Sequence, residues 1–131
     1  MTAPSAPSTR ARQIFWLSWV LSAVPIGMML FSASFKFRPS QEVIAFVVDH
    51  LGYQASILPK LGVLEITCIL LYAIPRTSMT GAILVTGYLG GAMASHTRVG
   101  DPVFIHILLI LLAWGGLYLR EPRLKALLPL R

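Results

Sequence analysis

Lys36, Glu65, His96, Arg98, Asp101 and His106 are ionisable side chains in or beside stretches of chain that are otherwise apolar. Such groups suit two tasks. Cations hold an anionic or carbonyl headgroup, and a buried Glu beside a His exchanges protons. Other chemistries find no support in the spacing. His96 and His106 are ten residues apart, His50 stands elsewhere, and there is no HExxH or Cys/His ligand pattern, so no metal is expected. There is no Ser-His-Asp arrangement, phosphate loop or dinucleotide fingerprint. Cys68 is the one cysteine, set in an apolar run, which excludes an intrachain disulfide and a CxxC dithiol.

The elements that must position these groups are apolar helices. Hydrophobic residues make up 56% of the 131-residue chain and charged residues 12%, with mean hydropathy +0.72. A soluble domain has about 25% charged residues. Four apolar blocks, Ile14–Phe35, Ala55–Ile74, Met79–Ser95 and Pro102–Leu119, each approach the ~20 residues that cross a bilayer. The expected fold is an all-α membrane protein. Its four transmembrane helices form an up-down-up-down bundle, with a short interfacial helix between spans one and two. Residues 1–12 are expected to be a disordered cytoplasmic tail, 13–119 the transmembrane domain and 120–131 a basic cytoplasmic tail. A soluble bundle is the competing reading, and it leaves too little polar surface to face water.

The net charge of +6 is distributed by side. Arg10, Arg12, Arg76, Arg120, Arg123, Lys125 and Arg131 face only Glu121. Across the bundle Lys36, Arg38, Lys60 and Arg98 balance Glu42, Asp49, Glu65 and Asp101. The positive-inside rule then places both termini in the cytoplasm. Anionic lipid headgroups account for the basic side, so no nucleic-acid partner is expected.

Within span one, Ser18, Ser22, Pro25, Met29, Ser32 and Lys36 recur at steps of three and four and share a face. Pro39-Ser40 opens a short helix with Ser40 as N-cap, and Gly52 closes it; Val43, Phe46 and Val47 suit it to lie along the outer interface as a lid. Glu65 in span two costs ~3 kcal/mol on insertion, nearly all of the ~4 that the eight aliphatic residues of Leu61–Ile74 return. It must therefore face the bundle interior. Lys60 lies about 140° around the helix and is a poor partner, so Glu65 should look to another helix. Gly87, Gly91 and Ser95 form a small-residue face, read first as helix packing and second as a surface for a cofactor or lipid tail. Asp101-Pro102 reads as the N-cap and N1 of span four.

By depth, Lys36, His96, Arg98 and Asp101 fall at the outer ends of their spans. Glu65 lies roughly 9–14 Å below its own outer end and His106 about 6–7 Å below. One reading is a set of ion pairs and caps that fixes the bundle. The other is a polar pocket open outward, in which Lys36 reaches down towards Glu65.

These residues carry a resemblance. Leu51-Gly52-Tyr53, Leu61-Gly62-Val63-Leu64-Glu65, Ile74-Pro75-Arg76, Thr86-Gly87-Tyr88-Leu89-Gly90-Gly91-Ala92 and His96-Thr97-Arg98-Val99-Gly100-Asp101-Pro102 resemble the DoxX-like family of small four-span bacterial membrane proteins. The likeness spans about Ile14–Leu119; Ser32 and Ser34 stand where that family usually has a Gly before the Lys ending span one. The resemblance implies a bacterial inner-membrane protein and an accessory role in a quinone-linked redox system, with quinone as the candidate cofactor. A chain with one cysteine has no dithiol of its own, so that role needs a partner redox subunit to carry electrons, and the isolated chain is not expected to be an enzyme. Two other classes stand beside it. One is a scaffold or chaperone-like protein binding a partner through the Gly87/Gly91/Ser95 face. The other is a small transporter, which four spans suit only as a homodimer.

Overall fold

Ser8 opens the longest helix: its hydroxyl accepts from the Ala11 N–H, and α1 runs Thr9–Phe37. The computed structural model describes residues 3–128. Met1 and Thr2 of the expected N-terminal tail, and residues 129–131 with Arg131 of the basic tail, lie outside the described residues. Thr9–Arg12, expected in the tail, form the first turns of α1.

After α1, Ser40 caps α2 (Gln41–Ala45) by accepting from Val43 N–H. The chain then passes through one π-turn at Phe46–His50, and Gly52 turns it at φ +77°. α3 is Ile57–Ala73, α4 Ser78–Arg98, α5 Phe104–Arg120 and α6 Pro122–Leu127. Every regular element among the described residues is helical. By length and composition one helix, α1 with 29 residues, is long and apolar enough to cross a membrane; α5 is apolar over 17. α3 also has 17, because Ala55 and Ser56 form a turn before it and Ile74 is its C-cap, three residues fewer than the apolar block Ala55–Ile74.

The four long helices close a ring of contacts: α1 packs on α3 and α5, α3 on α4, and α4 on α5. Met29, Ile69, Tyr72, Val85, Ala113 and Leu117 fill its centre, each at most 2% exposed. Two close helix approaches are made by glycines, at the end remote from the lid. A Cβ on Gly81 would lie 2.1 Å from Tyr72 N, and one on Gly116 would lie 2.4 Å from Ser22 Oγ. The Tyr72 hydroxyl bonds the Ala113 carbonyl at 2.6 Å and Ser22 at 2.9 Å. Arg120, read from the sequence as part of the basic tail, folds in here. It donates to Ser22 Oγ at 2.7 Å and lays its guanidinium 4.2 Å over the Trp19 ring. This end is closed by packing and hydrogen bonds.

One local expectation is corrected. Asp101 does not cap α5, which starts at Phe104 behind Val103 with no side-chain cap. Gly100, at φ +82°, ends α4 and turns the chain. The Asp101 carboxylate goes instead to two imidazoles, His50 from the lid and His96 from the last turn of α4, so its oxygens are occupied away from the start of α5.

Candidate functional site

At the lid end the ring of helices opens into a cavity of about 680 Å³. α1, α3, α4 and α5 all line it, and the segment from Val43 to Tyr53 roofs it. Most of the wall is aliphatic or aromatic. Two polar groups interrupt it.

The first is an ion pair. Glu65, on the inward face of α3, is 2% exposed, and Lys36 Nζ on α1 lies 2.7 Å from its Oε2. Lys36 also donates to Ser32 Oγ at 2.6 Å, one turn back on α1. Ser32 and Glu65 are 3.5 Å apart, so the hydroxyl braces the ammonium more than the carboxylate. Gly62 allows this pairing. Its missing Cβ would strike the Phe37 ring at 2.9 Å and approach Lys36 Cβ to 3.3 Å, so a larger residue would have to displace the Phe37 ring and crowd Lys36. Tyr88 of α4 lines the same cavity, with its phenol within electrostatic reach of Glu65.

The second group is a clasp between the lid and the α4–α5 turn. His50 Nε2 lies 2.9 Å from both Asp101 carboxylate oxygens, and His96 Nδ1 lies 3.0 Å from Oδ2. These bonds, His50 first and His96 second, hold the Asp101 carboxyl below the usual carboxylate range. Ring contacts continue the clasp inward: Phe46 to His96 at 5.8 Å between centroids, then His96 to His106 at 4.9 Å. His106 Nδ1 is buried without a hydrogen bond; the Val103 carbonyl is near it but not in bonding geometry. Tyr53 bonds Ser95 at 2.6 Å, and the Arg98 guanidinium donates to the Leu51 carbonyl beside Gly52. A residue with a Cβ at Gly52 would be strained by its positive φ and would come within 3.7 Å of Arg98.

The residues singled out from the sequence thus separate into two sets. Lys36, Glu65, His96 and His106 line the cavity. Asp101 and Arg98 hold the lid: Arg98, read as a headgroup ligand, does not line the cavity and gives one donor to the Leu51 carbonyl. Gly87 and Gly91 line the cavity too, and a Cβ on either would meet nothing within 4 Å, so no helix of this chain packs on them. The packing glycines are Gly62, Gly81 and Gly116. Sequence reading missed the part played by Ser32, Tyr53 and His50. Ser32 was visible, four residues before Lys36 on the same face. His50 and Tyr53 gave no signal, since only the folded lid brings them to Asp101 and Ser95.

Among the described residues no group of three His, Cys, Asp or Glu side chains is arranged to hold a metal ion. Chemically the cavity offers one buried acid with its cation, the rings of His96 and His106, and a large apolar volume around them. That suits an apolar molecule with a hydrogen-bonding head.

A family model described as the DoxX-like family matches residues 20–116. No curated protein and no solved structure matches the chain.

Proposed function

The chain belongs to the DoxX-like family, whose members are membrane proteins, and from that premise we propose that it is a four-span bacterial inner-membrane protein that binds a quinone-class molecule as the accessory subunit of a redox system. In this reading α1, α3, α4 and α5 span the bilayer, both termini are cytoplasmic and the lid lies on the outer surface. Large exposed apolar side chains on all four helices support it: Phe31 63%, Val63 58%, Ile83 59% and Leu111 63%. Such side chains suit lipid far better than water. The shorter helices are about 26 Å long at 1.5 Å per residue, near the ~30 Å of hydrocarbon to be crossed.

The observation that carries the function is the Lys36–Glu65 pair set in the wall of a large apolar cavity. Buried ionisable groups of this kind are costly inside a membrane. The residues fit a quinone head. Lys36 and His106 offer hydrogen-bonding nitrogens for ring oxygens, and Glu65 offers a carboxylate to hold or move a proton. A bound quinone supplies two-electron, two-proton chemistry, and a partner subunit exchanges the electrons. Lys36 orients the head, Glu65 sets the proton at its oxygen, and the lid keeps water out.

The test is binding of a short-chain benzoquinone to the purified protein in nanodiscs. Binding to the native chain, with loss of tenfold or more in both Glu65→Gln and Lys36→Met, is expected. No binding, or equal binding by all three, refutes the reading. The scaffold reading draws on the open Gly87/Gly91 face. It requires that Gly91→Leu abolish an isolable protein complex while Glu65→Gln leaves that complex intact.

A further inference from the structure

Two features of the cavity narrow what it holds. The first is its charge balance. Lys36 and Glu65 neutralise one another at 2.7 Å, and Arg98, the cation nearest in sequence to the cavity-lining His96, donates to the Leu51 carbonyl and does not line the wall. No cation in the wall is left over for an anion. A carboxylate or phosphate head would compete with Glu65 for Lys36 and leave one acid buried without a partner. A neutral carbonyl head needs only one donor, and Lys36 Nζ has a third N–H beyond those it gives to Glu65 Oε2 and Ser32 Oγ.

The second feature is the shape of the seam between α3 and α4. At the closed end Gly81 is pressed against the Tyr72 backbone. Towards the lid the cavity enters the seam: Tyr88 and Ala92 of α4 and Leu61 and Leu64 of α3 share its wall, and a Cβ on Gly87 or Gly91 beside them would meet nothing within 4 Å. Gly91 is ten residues beyond Gly81 and so only about 80° around the helix from the α3-facing direction; Ser95 is about 40° around. The Tyr53–Ser95 bond fixes that flank beside the start of α3. Across the seam Leu64, 49% exposed, also lines the cavity. The cavity therefore reaches the protein's side along a wedge floored by bare backbone. Its other edge, along α1 and α5, carries the bulky side chains of Phe31, Phe35 and Ile105. A wedge that narrows to backbone contact suits a thin alkyl chain rather than a helix about 10 Å across.

We propose that the cavity takes a neutral, single-tailed lipid, with its carbonyl head at the Lys36–Glu65 wall and its tail leaving sideways between α3 and α4 over Gly87 and Gly91. This rests on the ligand-binding reading above and adds the class of ligand and its route. The ligand comes from the bilayer and not from the water above the lid. The tail lies on glycine because any side chain there would fill the slot.

The experiment uses the full chain in nanodiscs, with empty discs subtracted. Its probes are a dimethoxy-methyl-benzoquinone without a tail, the same ring with a decyl tail, and decanoate. Native protein is expected to bind both quinones, and decanoate at least tenfold more weakly. Gly91→Leu and, independently, Gly87→Leu are expected to weaken the decyl quinone roughly tenfold or more and leave the tailless ring unchanged. Both positions have open space for the new side chain, and unchanged helix content and thermal unfolding confirm that the variants fold. Equal effects on the two quinones, or none, overturn the side route. Decanoate binding as tightly as its quinone counterpart overturns the neutral head. Loss of a co-purifying protein in the glycine variants, with decyl quinone binding intact, assigns the face to a partner helix and also overturns the proposal. If the native protein binds neither quinone, the proposed function falls and takes this inference with it; if the tailless ring binds and the glycine variants do not discriminate, this inference alone falls.

Discussion

Removing one member of the Lys36–Glu65 pair and then both gives a sharp test of the site. Glu65 is 2% exposed and Lys36 16%, so solvent screening takes little from the interaction. The two halves are not equivalent. In Lys36→Met the Glu65 carboxylate keeps only the weak 3.5 Å contact with Ser32 among its hydrogen bonds, an uncompensated buried charge that costs about 3–5 kcal/mol. In Glu65→Gln the ammonium keeps its 2.6 Å bond to Ser32 and sits at the lid end of α1, where its flexible stem can carry it towards water; about 1–2 kcal/mol is expected. The double variant removes both charges and should cost about as much as Glu65→Gln alone. The coupling energy then equals the Lys36→Met cost, about 3–5 kcal/mol, well beyond the ~0.5 kcal/mol within which independent sites add. Denaturant unfolding in mild detergent, followed by circular dichroism, measures all four corners of the cycle. Additive single effects, or Glu65→Gln costing more than Lys36→Met, would refute the buried pair.

Three further outcomes follow from the geometry. Gly81→Ala and Gly116→Ala put a methyl against backbone or Ser22 and should lower unfolding stability by about 1–3 kcal/mol or more, while Gly91→Ala should be neutral or gain up to ~1 kcal/mol from helix propensity; thermal unfolding of the three separates them. Arg120→Met should cost about 1.5–3 kcal/mol in the same assay, and Arg120→Lys should not restore it, because only the planar guanidinium both stacks on Trp19 and reaches Ser22. The Asp101 carboxyl is held below its usual range, so its contribution to the clasp is present above that range and lost as pH falls through the lowered value. Hydrogen exchange of the lid amides, corrected for intrinsic rate, should show protection that drops only below about pH 4, and Asp101→Asn should remove that step.

Much of the architecture was legible because apolar length, caps and glycine turns are local. The helical class, the Ser40 cap, the Gly52 turn and the need for Glu65 to face inward all follow from neighbours within a few positions in the chain. The sequence reading went astray where two long-range partners compete for one group. Asp101-Pro102 has the form of a helix cap, yet His50 and His96, brought in by the lid and α4, take its carboxylate. Arg98 likewise turns one of its donors to the Leu51 carbonyl, a partner 47 positions away in the chain.

Small residues divide along the same line. Spacing alone shows that Gly87, Gly91 and Ser95 share a face, but not whether anything covers that face. Helix contact fell instead to Gly81, which meets the α3 backbone, and to Gly62 and Gly116, which meet α1. By itself the sequence determined which groups are costly to bury and along which faces they lie. Only the tertiary structure decided which of them meet, since Lys36 and Glu65 are 29 positions apart and share a cavity wall solely through the packing of α1 on α3.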